Sequence, residues 1–485
     1  MQVRDHKTKI VGTIGPASES PEMLERLIRT GLDVARLNFS HGDFSGHRER
    51  IANLRAASDR AGRAVAVLAD LPGPKMRLGT IQNEPIHLRA GDPFTLTTDS
   101  IVGDNRRCSM SFAALPQVVK PGDRLYLNDG LVHLLVERIE GTDVHCVVAV
   151  GGELRSRKGL NLPGINLGIS AFTEHDRDCL KFALENGVDA VSQSFVQNAH
   201  DIELVRTAAE SLGHHPFIFA KIERAEAVQN YDEILRASDG IMVARGDLGI
   251  EVPMEEIAVI QKQLISGANA AGKPVITATQ MLESMITNRL PTRAECTDVA
   301  NAIFDGTDCV MLSGECAVGQ FPEEAVAMLG KIAAATEPHR HRAHPSNVHG
   351  AGWTPSTAAQ AMGILVERAL ETAPSAAVFV PTLSGDTARM ISRFKPSVWI
   401  VALSANENVC RNLKFSYGVE PVFVGEEADD WRPIIYDWLH QQHIRGKIAL
   451  LVAAASTKHP DASHRIEFLR IPESVASATS SRTTS

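Results

Sequence analysis

The sequence predicts an α/β protein built on a closed (β/α)8 TIM barrel, with an all-β lid domain inserted into it and a further α/β domain after it. Three observations lead there. Eight short apolar runs, roughly 9–14, 32–38, 64–70, 188–194, 216–222, 240–244, 274–279 and 308–312, are each followed by a helical pattern, and strands alternating with helices imply parallel crossover units. Nearly every run ends in polar or charged residues, among them Arg36 and Asn38, Asp70, Lys221 and Glu223, Arg245 and Asp247, Thr279, then Ser313 and Glu315, and barrels of this kind carry their chemistry at the C-terminal rim of the strands. Between the third and fourth runs the pattern breaks into short β segments separated by Gly and Asp, with no amphipathic helix in evidence.

The elements follow in order. Ser20-Pro21 opens the first crossover helix, with Ser at the N-cap and Pro at the first helical position. After Asp70-Leu-Pro-Gly-Pro74 come the β runs Ile86-His-Leu88, Phe94-Thr-Leu96, Arg124-Leu-Tyr-Leu-Asn128 and Val144-His-Cys-Val-Val148. The helical pattern resumes at Thr173, with Glu174 and Asp176 on the dipole-favoured first turn, and Thr292-Arg-Ala-Glu295 reads as a capping box. The predicted division is barrel 1–72 and 169–340, lid 73–168, linker 341–355, C-terminal α/β domain 356–473 and a Ser/Thr-rich tail 474–485. In the C-terminal domain the pattern gives helices 356–372, 387–394 and 407–414 and strands near 376–380, 398–403, 419–424, 447–453 and 465–471. The linker histidines at 339, 341, 344 and 349 have no fixed ligand spacing and read as a solvated connection rather than a metal site.

Composition narrows the function classes. With 485 residues, 44% hydrophobic and 22% charged, the chain is an ordinary globular protein of two or three domains. A net charge of −9 argues against a general nucleic-acid binder. No apolar run reaches membrane-span length, and the first residues lack a signal-peptide core. Seven cysteines at irregular spacing without a CxxC suit a reduced, cytoplasmic protein, with Cys179, Cys309 and Cys316 as small core fillers.

Lys221 and Glu223 fall on one face of the fifth strand, pointing inward. Asp247 ends the next strand within Ala244-Arg-Gly-Asp-Leu-Gly249, where Gly246 allows close backbone approach to a ligand. Two carboxylates on adjacent strands are what Mg²⁺ usually takes from protein, and a lysine between them suits a transferring phosphoryl group or a developing enolate. The alternative is a barrel-interior ion pair. Arg36 suits bidentate phosphate binding, against the alternative of a turn with a surface salt bridge. Arg77 and Lys158 lie near the two junctions of the lid and can add positive charge over the mouth.

Read together, these motifs resemble the pyruvate kinases over essentially the whole chain. The stretches that carry the resemblance are Thr8-Lys-Ile-Val-Gly-Thr-Ile-Gly-Pro-Ala-Ser18, Arg36-Leu-Asn-Phe-Ser-His-Gly42, Lys158-Gly-Leu-Asn-Leu-Pro-Gly164, Ala220-Lys-Ile-Glu223, Ile241-Met-Val-Ala-Arg-Gly-Asp-Leu-Gly249, Ala278-Thr-Gln-Met-Leu-Glu-Ser-Met285 and Met311-Leu-Ser-Gly-Glu315. The resemblance implies transfer of the phosphoryl group of phosphoenolpyruvate to ADP, giving pyruvate and ATP in the last step of glycolysis, by an allosteric homotetramer. It implies Mg²⁺, for which Mn²⁺ can substitute, on Glu223 and Asp247. Arg36, Lys221, Arg245, Gly246, Asp247 and Thr279 would bind substrate. Lys221, Thr279, Ser313 and Glu315 would carry transition-state charge and the proton relay. Asn38, Ser40, His41, Arg77 and Lys158 would face the nucleotide.

Two places depart from the family pattern. Asn38, Ser40, Asp70 and the Leu71 carbonyl match a potassium site, but Leu71-Pro-Gly-Pro-Lys75 stands where potassium-dependent members read Thr-Lys-Gly-Pro-Glu. Lys75 can replace the monovalent cation, so potassium is not expected to be required; the alternative is a surface lysine at the lid hinge. The effector loop, with Thr382, Ser384, Gly385 and Thr387, carries Leu383 and Asp386 where cations help, and Ser456–Ser463 replaces a Gly-rich loop. A sugar monophosphate or AMP is therefore expected rather than fructose bisphosphate. Two other readings are an Mg²⁺-dependent enolate aldolase, which needs no lid, and a catalytically dead sugar-phosphate sensor, against which the intact Lys221, Glu223, Asp247 and Thr279 speak.

Overall fold

Eight strands close into a parallel barrel: Lys9–Thr13, Val34–Asn38, Ala66–Leu71, Ala190–Gln193, Phe217–Ile222, Gly240–Ala244, Val275–Ala278 and Cys309–Leu312, numbered one to eight below. Strand one pairs with strand eight, Lys9 opposite Cys309, and this closes the ring. The computed structural model describes residues 2–74, 76–340, 354–454, 458 and 463–472. Lys75, the histidines at 341, 344 and 349, most of the 456–463 segment and the tail lie outside the described residues.

The crossover helices begin where local chemistry starts them. Ser20 accepts from the Met23 N–H at 3.2 Å with Pro21 on the first turn. Thr173 with Asp176, and Thr292 with Glu295, form reciprocal capping boxes.

Inside the barrel, the period-two faces change character from bottom to top. The inward residues of strand five are Phe217, Phe219, Lys221 and Glu223. Those of strand three are Ala66, Leu68 and Asp70, and those of strand two are Val34, Arg36 and Asn38. The lower positions form one apolar cluster with Val11, Ala190, Met242, Ile276 and Met311, and Phe415 of the C-terminal domain plugs it from below. The Phe415 ring lies 4.9 Å from that of Phe219 and 6.1 Å from that of Phe217. On these three strands only the upper positions are polar, and they bring their charges together at the mouth.

The lid lies between strands three and four of the barrel. Its main sheet has six strands in the order Leu160–Asn161, Arg124–Leu127, Val132–Glu140, Asp143–Val150, Pro93–Thr97 and Arg107–Ser109, over an apolar core of its own. It also contains a one-turn helix, Leu115–Val118, which the sequence reading does not expect; four residues are too few for a helical period to show. In the C-terminal domain five strands run in the order Val419–Phe423, Trp399–Ser404, Ala377–Pro381, Ile448–Ala453 and Arg465–Arg470, the last antiparallel. The reading also omits the helix Arg432–Gln441, which buries Ile435, Trp438 and Leu439. A buried Lys395–Asp308 pair at 2.6 Å and a bond from Lys9 Nζ to the Val419 carbonyl at 2.8 Å fasten this domain to the barrel floor. Among the described residues, no helix is long and apolar enough to cross a membrane.

Candidate active site at the barrel mouth

Arg36, Asp70, Ser192, Ser194, Lys221 and Glu223 meet at the upper ends of strands two to five. Arg36 Nε donates to Asp70 Oδ2 at 2.9 Å, a second guanidinium nitrogen reaches the same oxygen, and Nη1 donates to Thr13 Oγ1 at 2.8 Å. Asp70 Oδ1 accepts from Ser192 Oγ at 2.7 Å and lies 3.6 Å from Lys221 Nζ. Lys221 Nζ donates to Ser194 Oγ at 2.7 Å and sits 3.2 Å from Glu223 Oε2. Burial alone would lower the Lys221 ammonium, but Asp70 and Glu223 more than offset it and its pKa is raised. Burial alone would raise Asp70, yet Lys221 and Arg36 hold it below the usual carboxylate range. The Lys221 ammonium and the Asp70 carboxylate thus favour their charged forms in a largely dry site.

The two carboxylates read as metal ligands behave differently. Burial pushes Glu223 up to about 7, with Lys221 opposing and the charge of Asp247 adding to the rise. Its Oε1 accepts the Phe195 N–H at 2.6 Å, while Oε2 is buried without a hydrogen-bond partner. Asp247 is reached by solvent through the mouth. Enclosure by the rim nevertheless raises its carboxyl, Lys221 opposing and Asp129 and Asp70 adding to the rise. A buried carboxylate oxygen with no hydrogen-bond donor, facing only the Lys221 ammonium, and a neighbouring carboxylate, both destabilised as anions, fit a hard divalent cation with oxygen ligands. Mg²⁺ is compatible with that donor set. Asp129 comes from the lid: Asn128 and Asp129 have φ of +53° and +55°, and a methyl placed on Gly130 would lie 3.5 Å from Ile250. The turn tip therefore rests on the helix Arg245–Glu251, which carries Asp247.

On the opposite side of the mouth, strand seven ends in strained backbone. Thr279 has φ of +69° and Gln280 of +53°, which is unusual above all for a β-branched residue. Thr279 Oγ1 accepts the Gly246 N–H at 2.7 Å and donates to the Ala278 carbonyl at 2.6 Å, and such strain collects at functional sites. The Arg245 guanidinium is buried and engaged with Asp298 and Gln261, and it donates to the Thr279 carbonyl at 2.8 Å. It braces Thr279 and is not free at the mouth. Glu315 is likewise buried, its two oxygens accepting the N–H groups of Leu282 at 3.0 Å and Ser313 at 2.8 Å. It ties the loops after strands seven and eight together around Ser313.

Asn38, Ser40 and His41 form one tight loop, with Asn38 Oδ1 accepting the Ser40 N–H at 3.0 Å and His41 exposed. Arg77 and Lys158 are neighbours at the root of the lid: Arg77 bridges to Gly159, and the Leu78 N–H donates to the Lys158 carbonyl at 2.9 Å. Leu71 is fully buried. The hydroxyl-bearing loop with Thr382, Ser384, Gly385 and Thr387 sits in the C-terminal domain, where Asp386 is paired with Arg389 at 2.7 Å. Sequence reasoning takes no side chain from strands one and four. Thr13, Ser192 and Ser194 fill those places, and for Ser192 and Ser194 the signal was the same period-two polar spacing that marks Lys221 and Glu223.

A family model described as "Pyruvate kinase, barrel domain" matches residues 5–326, and one described as "Pyruvate kinase, alpha/beta domain" matches residues 360–464. The chain is 48% identical over 435 residues to a pyruvate kinase of Thermococcus litoralis, covering 89% of this chain and 91% of that one. It is 45% identical over 417 residues to one of Geobacillus stearothermophilus, covering 85% and 71%. Among solved structures, a pyruvate kinase from Cryptosporidium parvum aligns with a TM-score of 0.88 at 37% identity, covering 96% of this chain and 97% of that one.

Proposed function

The chain belongs to the pyruvate kinase family, and from that premise we propose how its barrel mouth carries out the family's reaction. That reaction transfers the phosphoryl group of phosphoenolpyruvate to ADP, giving pyruvate and ATP. The bond from phosphorus to the enol oxygen breaks, a bond to a terminal β-phosphate oxygen of ADP forms, and the enolate left behind takes a proton on its methylene carbon. The observation that carries the assignment of roles is the Lys221 ammonium held between Asp70 and Glu223, 3.6 and 3.2 Å away.

Lys221 and Arg36 face the transferring phosphoryl group, where charge spreads over the equatorial oxygens. The Gly246 backbone and Thr279 hold the carboxylate end, braced by Arg245. Thr279, Ser313 and Glu315 line the side from which the proton arrives, with Glu315 fixing Ser313. Asn38, Ser40, His41, Arg77 and Lys158 form the nucleotide side. Mg²⁺, or Mn²⁺ in its place, would be held by Glu223 and Asp247 and would supply positive charge to the substrate oxygens. Pyruvate release from phosphoenolpyruvate and ADP tests the whole reading. An aldolase or a dead sensor predicts none, and neither needs the lid turn that brings Asp129 to the mouth.

Glu223→Gln and Asp247→Asn are each expected to raise the Mg²⁺ half-saturation by about 10-fold or more while changing the KM for ADP less, since deleting a ligand removes metal affinity directly. Unchanged Mg²⁺ titrations in both variants would remove them as ligands.

A sugar monophosphate or AMP is the proposed effector. In support, the loop at 382–387 offers hydroxyls, and Arg389 beside it is already paired with Asp386. Fructose 1,6-bisphosphate is expected to shift the phosphoenolpyruvate saturation curve by less than about twofold, an effect under 1 kcal/mol. Strong activation at low concentration, lost in Ser384→Ala, would show the opposite. A homotetramer is expected from the family, and the edge strand Arg465–Arg470 with Phe468 54% exposed is a surface that suits subunit contact. Seven free thiols suit a reducing cytoplasm.

A further inference from the structure

The peptide Ser194-Phe195 touches three things at once. Ser194 Oγ accepts from the Lys221 ammonium at 2.7 Å, and the Phe195 N–H donates to Glu223 Oε1 at 2.6 Å. The Phe195 ring packs against the apolar core of the lid, as does Ile165 at the lid's return to the barrel. At the outgoing junction, Gly73 has φ of +65°, and a methyl placed on it would come within 2.8 Å of the Phe195 ring and 3.1 Å of the Ser194 carbonyl. At the return junction, Arg224, the residue after Glu223, donates to the Ile165 carbonyl at 2.9 Å. Both lid junctions therefore rest on residues that hold or adjoin the Lys221–Glu223 pair.

Phe195 itself has φ of +61°. That left-handed conformation is uncommon for a bulky L-residue and persists where the surroundings over-determine it. Here the surroundings are known. The ring is held by the lid and the Gly73 junction, and the N–H by the Glu223 carboxylate. If the ring were absent, an alanine in its place would favour negative φ and turn the N–H off Glu223. A glycine would accept positive φ without the ring.

We propose that Phe195 is a positioning residue that couples the lid to Glu223: lid packing on its ring holds the left-handed backbone, and that backbone aims the N–H that orients the carboxylate. The inference rests on the reading of Glu223 as a metal ligand and adds to it a path from the lid.

The test uses Mn²⁺ alone, titrated into the full-length protein without substrates and followed by electron paramagnetic resonance, with hydrogen exchange of the peptides around Gly73 and Ile165 as the lid readout. Phe195→Ala is expected to weaken Mn²⁺ binding by about 10-fold, at the low end for the loss of a partner that orients a ligand. Phe195→Gly is expected to recover most of that affinity, although it is the more disruptive change for stability. Both variants are expected to exchange faster at the two junctions. A merely structural role predicts the reverse order, with glycine worse than alanine, and that result overturns the proposal. So does wild-type Mn²⁺ affinity in Phe195→Ala, or unchanged exchange at both junctions. Glu223→Gln serves as the control: if it leaves Mn²⁺ binding unchanged, the ligand reading fails and the inference with it, whereas weakened binding in Glu223→Gln beside wild-type binding in Phe195→Ala overturns the inference alone.

Discussion

Lys221→Met is expected to lower kcat by at least about 10²–10³, the usual cost of removing one electrostatic group aimed at the transition state, while the KM for ADP changes little. The ammonium lies among Ser194, Glu223 and Asp70 at 2.7, 3.2 and 3.6 Å, so methionine fills most of the space and removes the charge together with the hydrogen bond to Ser194. Its removal leaves Glu223, Asp247 and Asp70 facing one another with Arg36 as the remaining cation named at this site. Breaking a buried pair from one side typically costs about 3–5 kcal/mol. The metal-free variant is therefore expected to melt well below the wild type, and saturating Mg²⁺ to recover part of the difference, because a divalent cation neutralises the same carboxylates. Glu223, already pushed up to about 7 by burial and by Asp247, would lose the one partner that lowers it most and hold its proton to higher pH. Circular dichroism at room temperature should match the wild type. A folded variant with wild-type turnover would end the assigned role.

The features that make this prediction possible were legible in the chain. On strand five the inward positions run Phe217, Phe219, Lys221, Glu223, and a switch from apolar to charged on a period-two face marks a strand passing from the packed floor to the open rim. Strands two and three carry the same switch. The direction of a long side chain is not written that way. Arg245 sits at a strand end like the others, but its guanidinium turns to Asp298 and the Thr279 carbonyl, and only packing against the next helices decides that. Phe195 was invisible for a related reason: nothing in a phenylalanine announces φ of +61°, because tertiary contacts impose it. The helix Arg432–Gln441 did leave a signal, with Trp431, Ile435, Trp438 and Leu439 at helical spacing. Pro433, acceptable on a first turn, reads locally as a breaker.

The second large effect concerns the monovalent cation. The wild type is expected to keep turnover within about twofold when potassium is replaced by tetramethylammonium, a change under 1 kcal/mol in barrier. Three of the side-chain oxygens that would bind potassium already have donors. Asp70 Oδ2 is taken by Arg36, Asp70 Oδ1 by Ser192 at 2.7 Å, and Asn38 Oδ1 by the Ser40 N–H at 3.0 Å. Leu71 follows Asp70 with an apolar side chain, fully buried, where a hydroxyl would favour an ion. Lys75 follows on the same stretch of sequence, and we propose that its tethered charge takes the place of an ion from solution. Lys75→Glu removes that charge and adds a carboxylate. In tetramethylammonium it is expected to lose activity by on the order of 10²-fold, again the scale of one misplaced charge at a phosphoryl-transfer site. Potassium should restore much of that loss in the variant while doing little for the wild type. The opposite pattern, a wild type silent without potassium and rising steeply with it, would make Lys75 an ordinary hinge residue. Asn38, Ser40 and Asp70 would then have to turn from their present partners to hold a real ion.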